Sequence, residues 1–418
     1  MVGGKATASP ESCCGCGACA KACPRQCIRM VADADGFVFP QVDADACVNC
    51  GRCEQVCPFE RKPDVGDRVQ PKIYAARQRS QAVLTAAASG GAFGGIAAAL
   101  SDEPGGKDWW VWGAVLDENL RVCHRCRRLS EGLEPFHKSK YVQSDLGDAL
   151  PEIRRQLKAG ERVLFSGTPC QVAALRNYLG EGPIQDNLFC VDLVCHGVPS
   201  QRMFDRYIEE EGRALKSPIR QVEFRHKVYR GRKEGWDSRY MRLTLADGRQ
   251  KVRNRYQSRF LRAYYAYLFQ RKSCYTCPFT TAERNGDVTI GDFWGVKRML
   301  PEVEEDRGIS LIQVNTAAGE RVTERVTERV ELEMELWPVD REAYIKRSGG
   351  AMVQPAAANR NRKAFFRAAR DDSFFRAVDS AIPAWKEWAK IEFMRRLTPE
   401  TRRKLKRLRH GNGSGAKG

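Results

Sequence analysis

Two cysteine runs constrain this chain more than any other feature: Cys13-x2-Cys16-x2-Cys19-x3-Cys23-Pro24 and Cys47-x2-Cys50-x2-Cys53-x3-Cys57-Pro58. Each has the spacing of the bacterial double-cubane run, in which the fourth cysteine of one run serves the other cluster. Three thiolates on one tight loop can reach three corners of a cubane, and Gly15, Gly17 and Gly51 permit the sharp turns this requires. One [4Fe–4S] cluster is therefore expected on Cys13, Cys16, Cys19 and Cys57, and a second on Cys47, Cys50, Cys53 and Cys23. Zinc is the competing metal, but it usually takes paired C-x2-C knuckles without the triple spacing. Cys14 and Cys27 are surplus and read as packing or surface thiols.

Ten of the 17 cysteines fall within the first 60 residues, in a chain of 418. That length splits most naturally into two or three domains. Cysteine groups in a long chain without an apolar leader point to metal ligation in a reducing compartment, and hence to a cytoplasmic protein. No apolar run approaches the roughly 18–20 residues of a membrane span. The net charge of +18 is spread along the chain and densest at Arg402-Arg403-Lys404, Lys406-Arg407 and Arg409. Without a recognisable nucleic-acid motif it argues for a solvated basic surface, or a docking field for an acidic electron carrier such as ferredoxin, rather than for nucleic acid.

The expected architecture is α+β: a bacterial-ferredoxin-like domain (1–65), an α/β flavin- and iron–sulfur-binding domain in two parts (66–187 and 188–345), and a basic helical extension with a disordered tail (346–418). Arg61 to Pro71 reads as a linker. Strands are predicted at Trp109 to Leu116, Arg121 to Arg127, Arg162 to Phe165, Leu188 to Val194, Val222 to Phe224, Tyr240 to Leu245 and Val288 to Ile290. Helices are predicted at Ser144 to Leu157, Gln171 to Leu179, Gln201 to Arg213 and Tyr256 to Gln270.

Four further stretches carry chemistry. Ser89-Gly90-Gly91-Ala92-Phe93 opens a helix, where a serine N-cap and glycines would let a phosphate approach free N–H groups. Ser139-Lys140-Tyr141-Val142-Gln143-Ser144 supplies a cation, a phenol and hydrogen-bonding groups together. Gly167-Thr168-Pro169-Cys170-Gln171 joins a strand to a helix, with Thr168 suited to the N-cap and Pro169 to the first turn. Capping does not require its cysteine. The last stretch links Val194-Cys195-His196-Gly197 with Cys274-x2-Cys277-Pro278 and Gly291-Asp292-Phe293-Trp294-Gly295.

With Phe224-Arg225-x-Lys227 and Cys195-His196-Gly197-x-Pro199-Ser200 added, seven such motifs stand in order between about Ile73 and Arg370. In this respect the chain resembles the coenzyme F420 hydrogenase/dehydrogenase beta-subunit family, including its arrangement behind a double-cubane module. The resemblance implies an FAD-dependent oxidoreductase in which flavin mediates between clusters and a second redox partner. It implies flavin contacts from Ser89, Gly90, Gly91, Lys140, Tyr141, Gly167, Thr168 and Gln171, and a third cubane on Cys170, Cys195, Cys274 and Cys277. Cys190, in an apolar strand, is the alternative thiol for that set. Lys138 departs from the glycine usual before Ser-Lys-Tyr.

The implied reaction passes electrons between a ferredoxin-type donor and an organic acceptor, with coenzyme F420 or an intermediate of surface-polysaccharide metabolism as substrate classes. His196 and Lys227 are candidates for polarising or protonating that acceptor, against bland readings as a strand-end hydrogen bonder and a surface charge. The alternative function is a non-catalytic subunit relaying electrons to a partner enzyme. Cys123-x-x-Cys126 lies on a predicted strand that puts its two thiols on opposite faces, which argues against a zinc knuckle.

Overall fold

The computed structural model describes residues 9, 11–102, 107–229, 236–304, 307–328 and 334–384. Short helices at Ala18–Ala22 and Arg52–Gln55 follow the two cysteine loops, each entered through a left-handed glycine, Gly17 at φ 75° and Gly51 at φ 71°. Strands β1 (Ile28–Ala32) and β2 (Val38–Val42) pair antiparallel beside them. The module's own apolar interior is thin, and its buried Ala18 and Val56 complete a core whose other members, including Leu150, Ile153 and Phe165, belong to the larger domain. Bidentate contacts from Arg370 to Asp35 at 2.6 and 2.9 Å fasten its far side.

The larger domain is built on an eight-stranded sheet. Its strands are β3 (Arg68–Gln78), β4 (Trp109–Leu116), β5 (Val122–Arg128), β6 (Arg162–Gly167) and β7 (Leu188–Leu193), with three more from later in the chain. A separate three-stranded antiparallel sheet holds β8 (Ile219–Tyr229), β9 (Trp236–Leu245) and β10 (Gln250–Asn254). Strands β11 (Val288–Asp292), β12 (Ser310–Thr316) and β13 (Met334–Val339) complete the large sheet, in the order β13-β3-β12-β11-β7-β6-β4-β5. The parts before and after residue 188 thus interleave in one sheet.

Strands β4, β6, β7 and β11 run parallel to one another, and the outer pairs are antiparallel. Leu188 to Asp192 is buried throughout, as is all of β12, the unbroken burial expected of strands covered on both faces. Pro169–Leu179 is the crossover helix between β6 and β7. In open parallel sheets, ligand crevices lie outside the carboxyl ends of the strands. Here that edge carries Thr168 after β6, Cys195 after β7 and Phe293 after β11.

The second core is aromatic. Helices Gln201–Leu215, Arg259–Tyr265, Arg362–Asp371 and Phe374–Ala381 close over the small sheet through Phe204, Tyr207, Phe260, Phe365 and Phe374. The extension is helical as far as it is described. The basic stretch from Arg402 and the tail Gly411 to Gly418 lie outside the described residues.

Three expected elements differ. The helix foreseen from Ser144 begins at Ala149, because the amide of Asp145 is taken by the Val122 carbonyl and that of Gln143 by Pro199. The helix foreseen over Tyr256 to Gln270 spans only Arg259–Tyr265. Tyr267, at φ 53°, turns the chain away and delivers Arg271, Cys274 and Cys277 to the sheet edge. Ser89 is not an N-cap. Gly91, at φ 84°, caps the helix Ala92–Ser101, while Ser89 Oγ donates to the Ile309 carbonyl at 2.8 Å.

Candidate metal centres and the adjoining cavity

The first expected set is brought together. Burial pushes Cys19 far up, and the thiols of Cys16, Cys13 and Cys57 push the same way. Cys57 is raised by burial and then by Cys16 and Cys13. The four sulfurs line one small pocket with Met30, Pro40 and Phe59, an apolar wall suited to a cluster. Among the described residues no group of three or more His, Cys, Asp or Glu side chains is arranged for a single metal ion.

The second set is gathered in part. Cys53 feels Cys47, and Cys27 touches both Cys23, at 3.3 Å between sulfurs, and Cys47. Cys50 stands on an exposed turn next to the exposed Val48. Cys27, set aside in the sequence as surplus, packs directly against this set.

Cys170, Cys195, Cys274 and Cys277 converge from separate segments. Burial raises Cys195 well above the usual thiol range, with Cys274, Cys170 and Cys277 adding to it. Burial lifts Cys274 to about 12, again helped by Cys170 and Cys277. Gly197 N–H donates to Cys195 Sγ at 3.4 Å, and Gly197, at φ 92°, lies so close to Cys274 that a Cβ would fall 3.0 Å from the Cys274 Cβ. Buried thiols that raise one another's pKa are stable as thiolates only beside a shared cation, which is what an iron–sulfur cluster supplies. Cys190 is excluded from the group: it is fully buried in β7, where Arg176, Asp287 and Asp192 are its charged neighbours.

Cys14 joins the two sets. Its thiol neighbours those of Cys16 and Cys170 and pulls both down, Cys170 to about 7. The sequence gives no sign of this, since the contact spans 156 positions of chain. Thr168 Oγ1 lies 3.2 Å from Cys170 Sγ.

Beside these centres lies a cavity of about 740 Å³, lined by Lys138, Ser139, Lys140, Phe224, Lys227 and Arg242, with Thr85, Glu134, His137, Glu223 and His226. Lys138 and Arg242 both pair with Glu223 there, and burial drives Lys140 and Lys227 toward neutrality, so the cavity holds only a small excess of positive charge. Burial drives Lys140 down to about 7, and its Nζ donates to the carbonyls of Pro135 and His137 at 2.9 and 2.7 Å. Tyr141 stacks on Tyr264 at 4.4 Å and leans on Phe224 at 5.5 Å, and Tyr264 OH donates to the Gly197 carbonyl. An aromatic wall therefore connects the cavity to the Cys195 loop.

Of the residues expected to touch flavin, only Lys140 lines this cavity, with Tyr141 behind it. Gln171 is the capping partner of Thr168, accepting from its amide at 3.1 Å, and its Nε2 donates to the Ser144 carbonyl. Gly90 and Gly91 are packing glycines: a Cβ on Gly90 would lie 2.3 Å from the Ala76 carbonyl oxygen, and one on Gly91 2.7 Å from Gln78.

Lys227 is buried rather than a surface charge. Its Nζ donates to the carbonyls of Leu84, Ser89 and Arg307 at 2.5, 2.7 and 3.0 Å, and burial drives it down to about 7. Those three bonds use every N–H the ammonium has, so it has no proton to offer an acceptor in this arrangement. His196 is held below the ordinary imidazole pKa by burial, and its Nδ1 lies 3.4 Å from Tyr267 OH.

Fold and cysteine sets together define an α+β iron–sulfur protein, and comparison with known families agrees. Residues 12–60 match the 4Fe–4S dicluster domain. Residues 160–338 match the family described as the C terminus of the coenzyme F420 hydrogenase/dehydrogenase beta subunit. The sheet-bearing part of the chain is thus similar to the C terminus of that beta subunit, behind an N-terminal ferredoxin-type domain. The chain is an iron–sulfur electron-transfer protein of an oxidoreductase family. No curated protein matches it. Among solved structures it is similar to one described as a xenon derivative of the F420-reducing [NiFe] hydrogenase complex from Methanosarcina barkeri. The identity is 15%, over 72% of this chain and 93% of that one, with a TM-score of 0.44. At that score the likeness bears on neither partner nor substrate. No described helix is long and apolar enough to cross a membrane.

Proposed function

We propose that the chain is a three-cluster flavoprotein oxidoreductase that connects an acidic, ferredoxin-type electron carrier to an anionic organic acceptor. The observation that carries this reading is the convergence of Cys170, Cys195, Cys274 and Cys277 at the carboxyl edge of the parallel strands, joined through Cys14 to the first ferredoxin set. Bound clusters supply one-electron chemistry and bound FAD two-electron chemistry.

The chain's own residues prepare each site. Gly197 and Thr168 set hydrogen bonds toward the sulfurs of Cys195 and Cys170. Lys138 and Arg242, held by Glu223, and Lys140 offer N–H donors to the phosphates of FAD or an anionic acceptor in the cavity. Tyr141 and Tyr264 exclude water between cavity and cysteine loop. The net charge of +18 and the exposed Cys50 turn suit an acidic carrier at the second ferredoxin set. Coenzyme F420 and activated sugars of surface-polysaccharide metabolism are the acceptors to try first.

Anaerobically purified protein is expected to hold about twelve iron atoms, against about eight if only the ferredoxin pair is filled. It should release FAD on denaturation. After reduction with dithionite and removal of the excess, an organic acceptor should restore the flavin absorbance in one two-electron step. Reoxidation only by a protein partner would instead establish a relay role.

A further inference from the structure

We infer that Arg271 is a buried counter-charge shared by the Cys13/Cys16/Cys19/Cys57 and Cys170/Cys195/Cys274/Cys277 sites, and that it raises the reduction potentials of the clusters they hold. The inference rests on the proposed reading of the second of these sets as a [4Fe–4S] site.

Arg271 is 1% exposed, a state arginine rarely adopts unless paired. Its Nε donates to the Cys13 carbonyl at 2.6 Å, its Nη1 to Gln143 Oε1 at 3.1 Å and its Nη2 to the Val38 carbonyl at 2.5 Å. The guanidinium faces the rings of Phe39 and Phe37 at 4.4 and 5.5 Å. Its hydrogen-bond acceptors are neutral dipoles, and among the described residues no carboxylate pairs with it. Such acceptors satisfy N–H groups but leave a full charge in a poorly polarisable interior, which is costly unless an opposite charge lies near.

That opposite charge is sulfur. Nη2 lies 3.8 Å from Cys13 Sγ, while the Arg271 carbonyl accepts from the Cys274 amide at 3.0 Å and Ser273 Oγ donates to the Cys13 carbonyl at 2.9 Å, so the residue sits where the two cysteine sets meet. The backbone is shaped to admit it. Gly15, between Cys13 and Cys16, sits at φ 66°, and a Cβ there would fall 2.8 and 2.9 Å from Nη1 and Nη2. Gln143 braces the same point, since its Nε2 donates to the Cys14 carbonyl at 2.9 Å while its Oε1 accepts from Arg271.

Reduction of either cluster by an external one-electron donor such as dithionite adds one negative charge and breaks no bond. A fixed cation stabilises the reduced state more than the oxidised one, and so favours reduction. Arg271 is therefore a positioning residue for the redox centres rather than a catalytic one. The Cys23/Cys47/Cys50/Cys53 set has no comparable contact with it among the described residues, and serves as an internal control.

The test is an EPR-monitored redox titration of the full anaerobic protein as wild type, Arg271→Gln and Arg271→Lys, with iron counted in each. Arg271→Gln is expected to shift the reduced-to-oxidised ratio at least tenfold toward oxidised, about 59 mV for one electron, at the two shared sites and not at the third. Arg271→Lys should retain most of the wild-type potential. If Arg271→Gln strips iron from both sites while Arg271→Lys keeps it, the shared charge is again supported. Unmoved potentials with about twelve irons present, an equal shift at all three clusters, or equal damage from both variants would overturn the inference alone. About eight irons in the wild type would remove the proposed third site, and the sharing with it.

Discussion

The ferredoxin module and the sheet-borne cysteine set are built on opposite principles. In the module, each loop of three cysteines is written within seven consecutive residues and turned by left-handed glycines at Gly15, Gly17 and Gly51, and the sheet domain only braces the first loop through Arg271 and Gln143. In the sheet domain, Cys170, Cys195, Cys274 and Cys277 span 108 positions and meet only because β6 and β7 lie side by side and the chain turns at Tyr267. The first arrangement depends on local turns and on its metal. The second depends on the whole sheet, and damage to the sheet should separate the two.

The largest separation is expected from Asp287→Ala. Asp287 Oδ2 accepts from Arg176 at 2.9 Å and from the Cys190 amide at 2.7 Å, while Oδ1 accepts from the Thr316 hydroxyl at 2.8 Å. Arg176 and Asp287 are both buried, and removing one partner of such a pair costs about 3–5 kcal/mol. Denaturant unfolding should record that loss, and the variant should lose the sheet-borne iron while keeping the ferredoxin iron. Equal loss from both regions would break the comparison.

Acid should act in the same order. His124 stacks on Phe165, shares a hydrogen bond with Ser144 Oγ at 2.8 Å and contacts the Ser166 carbonyl at 3.0 Å. Burial holds it down to about 4. The unfolded chain therefore binds more protons between the ordinary imidazole pKa and about 4, so stability falls as pH falls through that window. From pH 7 to pH 5 the wild type should lose about 2 kcal/mol more than His124→Gln, read from unfolding curves at each pH. The Cys13 to Cys57 region contains no histidine and should show no such difference.

A smaller contrast lies in two glycines. Gly90→Ala forces a Cβ to within 2.3 Å of backbone in the large sheet, an overpacking that costs about 1–3 kcal/mol. Gly51→Ala meets nothing within 4 Å and bears only its left-handed φ, about 1 kcal/mol. Thermal melts should rank the two in that order, and flavin content should follow Gly90 only through stability. Flavin loss from a fully stable Gly90→Ala would return the glycine loop to the cofactor site.

These differences also explain what could be read from the sequence. Strand β4 lies where its unbroken run from Trp109 to Leu116 predicts, because burial on both faces leaves a signal in every residue. The loop cysteines were legible for the same reason: their meaning is local. The dispersed set came from a family resemblance and not from spacing. Arg271 and Cys14 left no local trace, because their partners lie far away in the chain. Ser89 and Gly90 carried a phosphate-loop pattern, but in the fold they seat one backbone segment against Ile309 and Ser310. Lys227 read as an acceptor-polarising group or a surface charge, whereas three carbonyls absorb it.

The claim that the sheet edge holds a metal centre of its own is tested most directly by counting iron, with Mössbauer or EPR spectra, in anaerobic wild type and Cys277→Ser. The account predicts about twelve irons in the wild type and about eight in the variant, with the two ferredoxin signals intact. About eight in both proteins, with identical spectra, would contradict it.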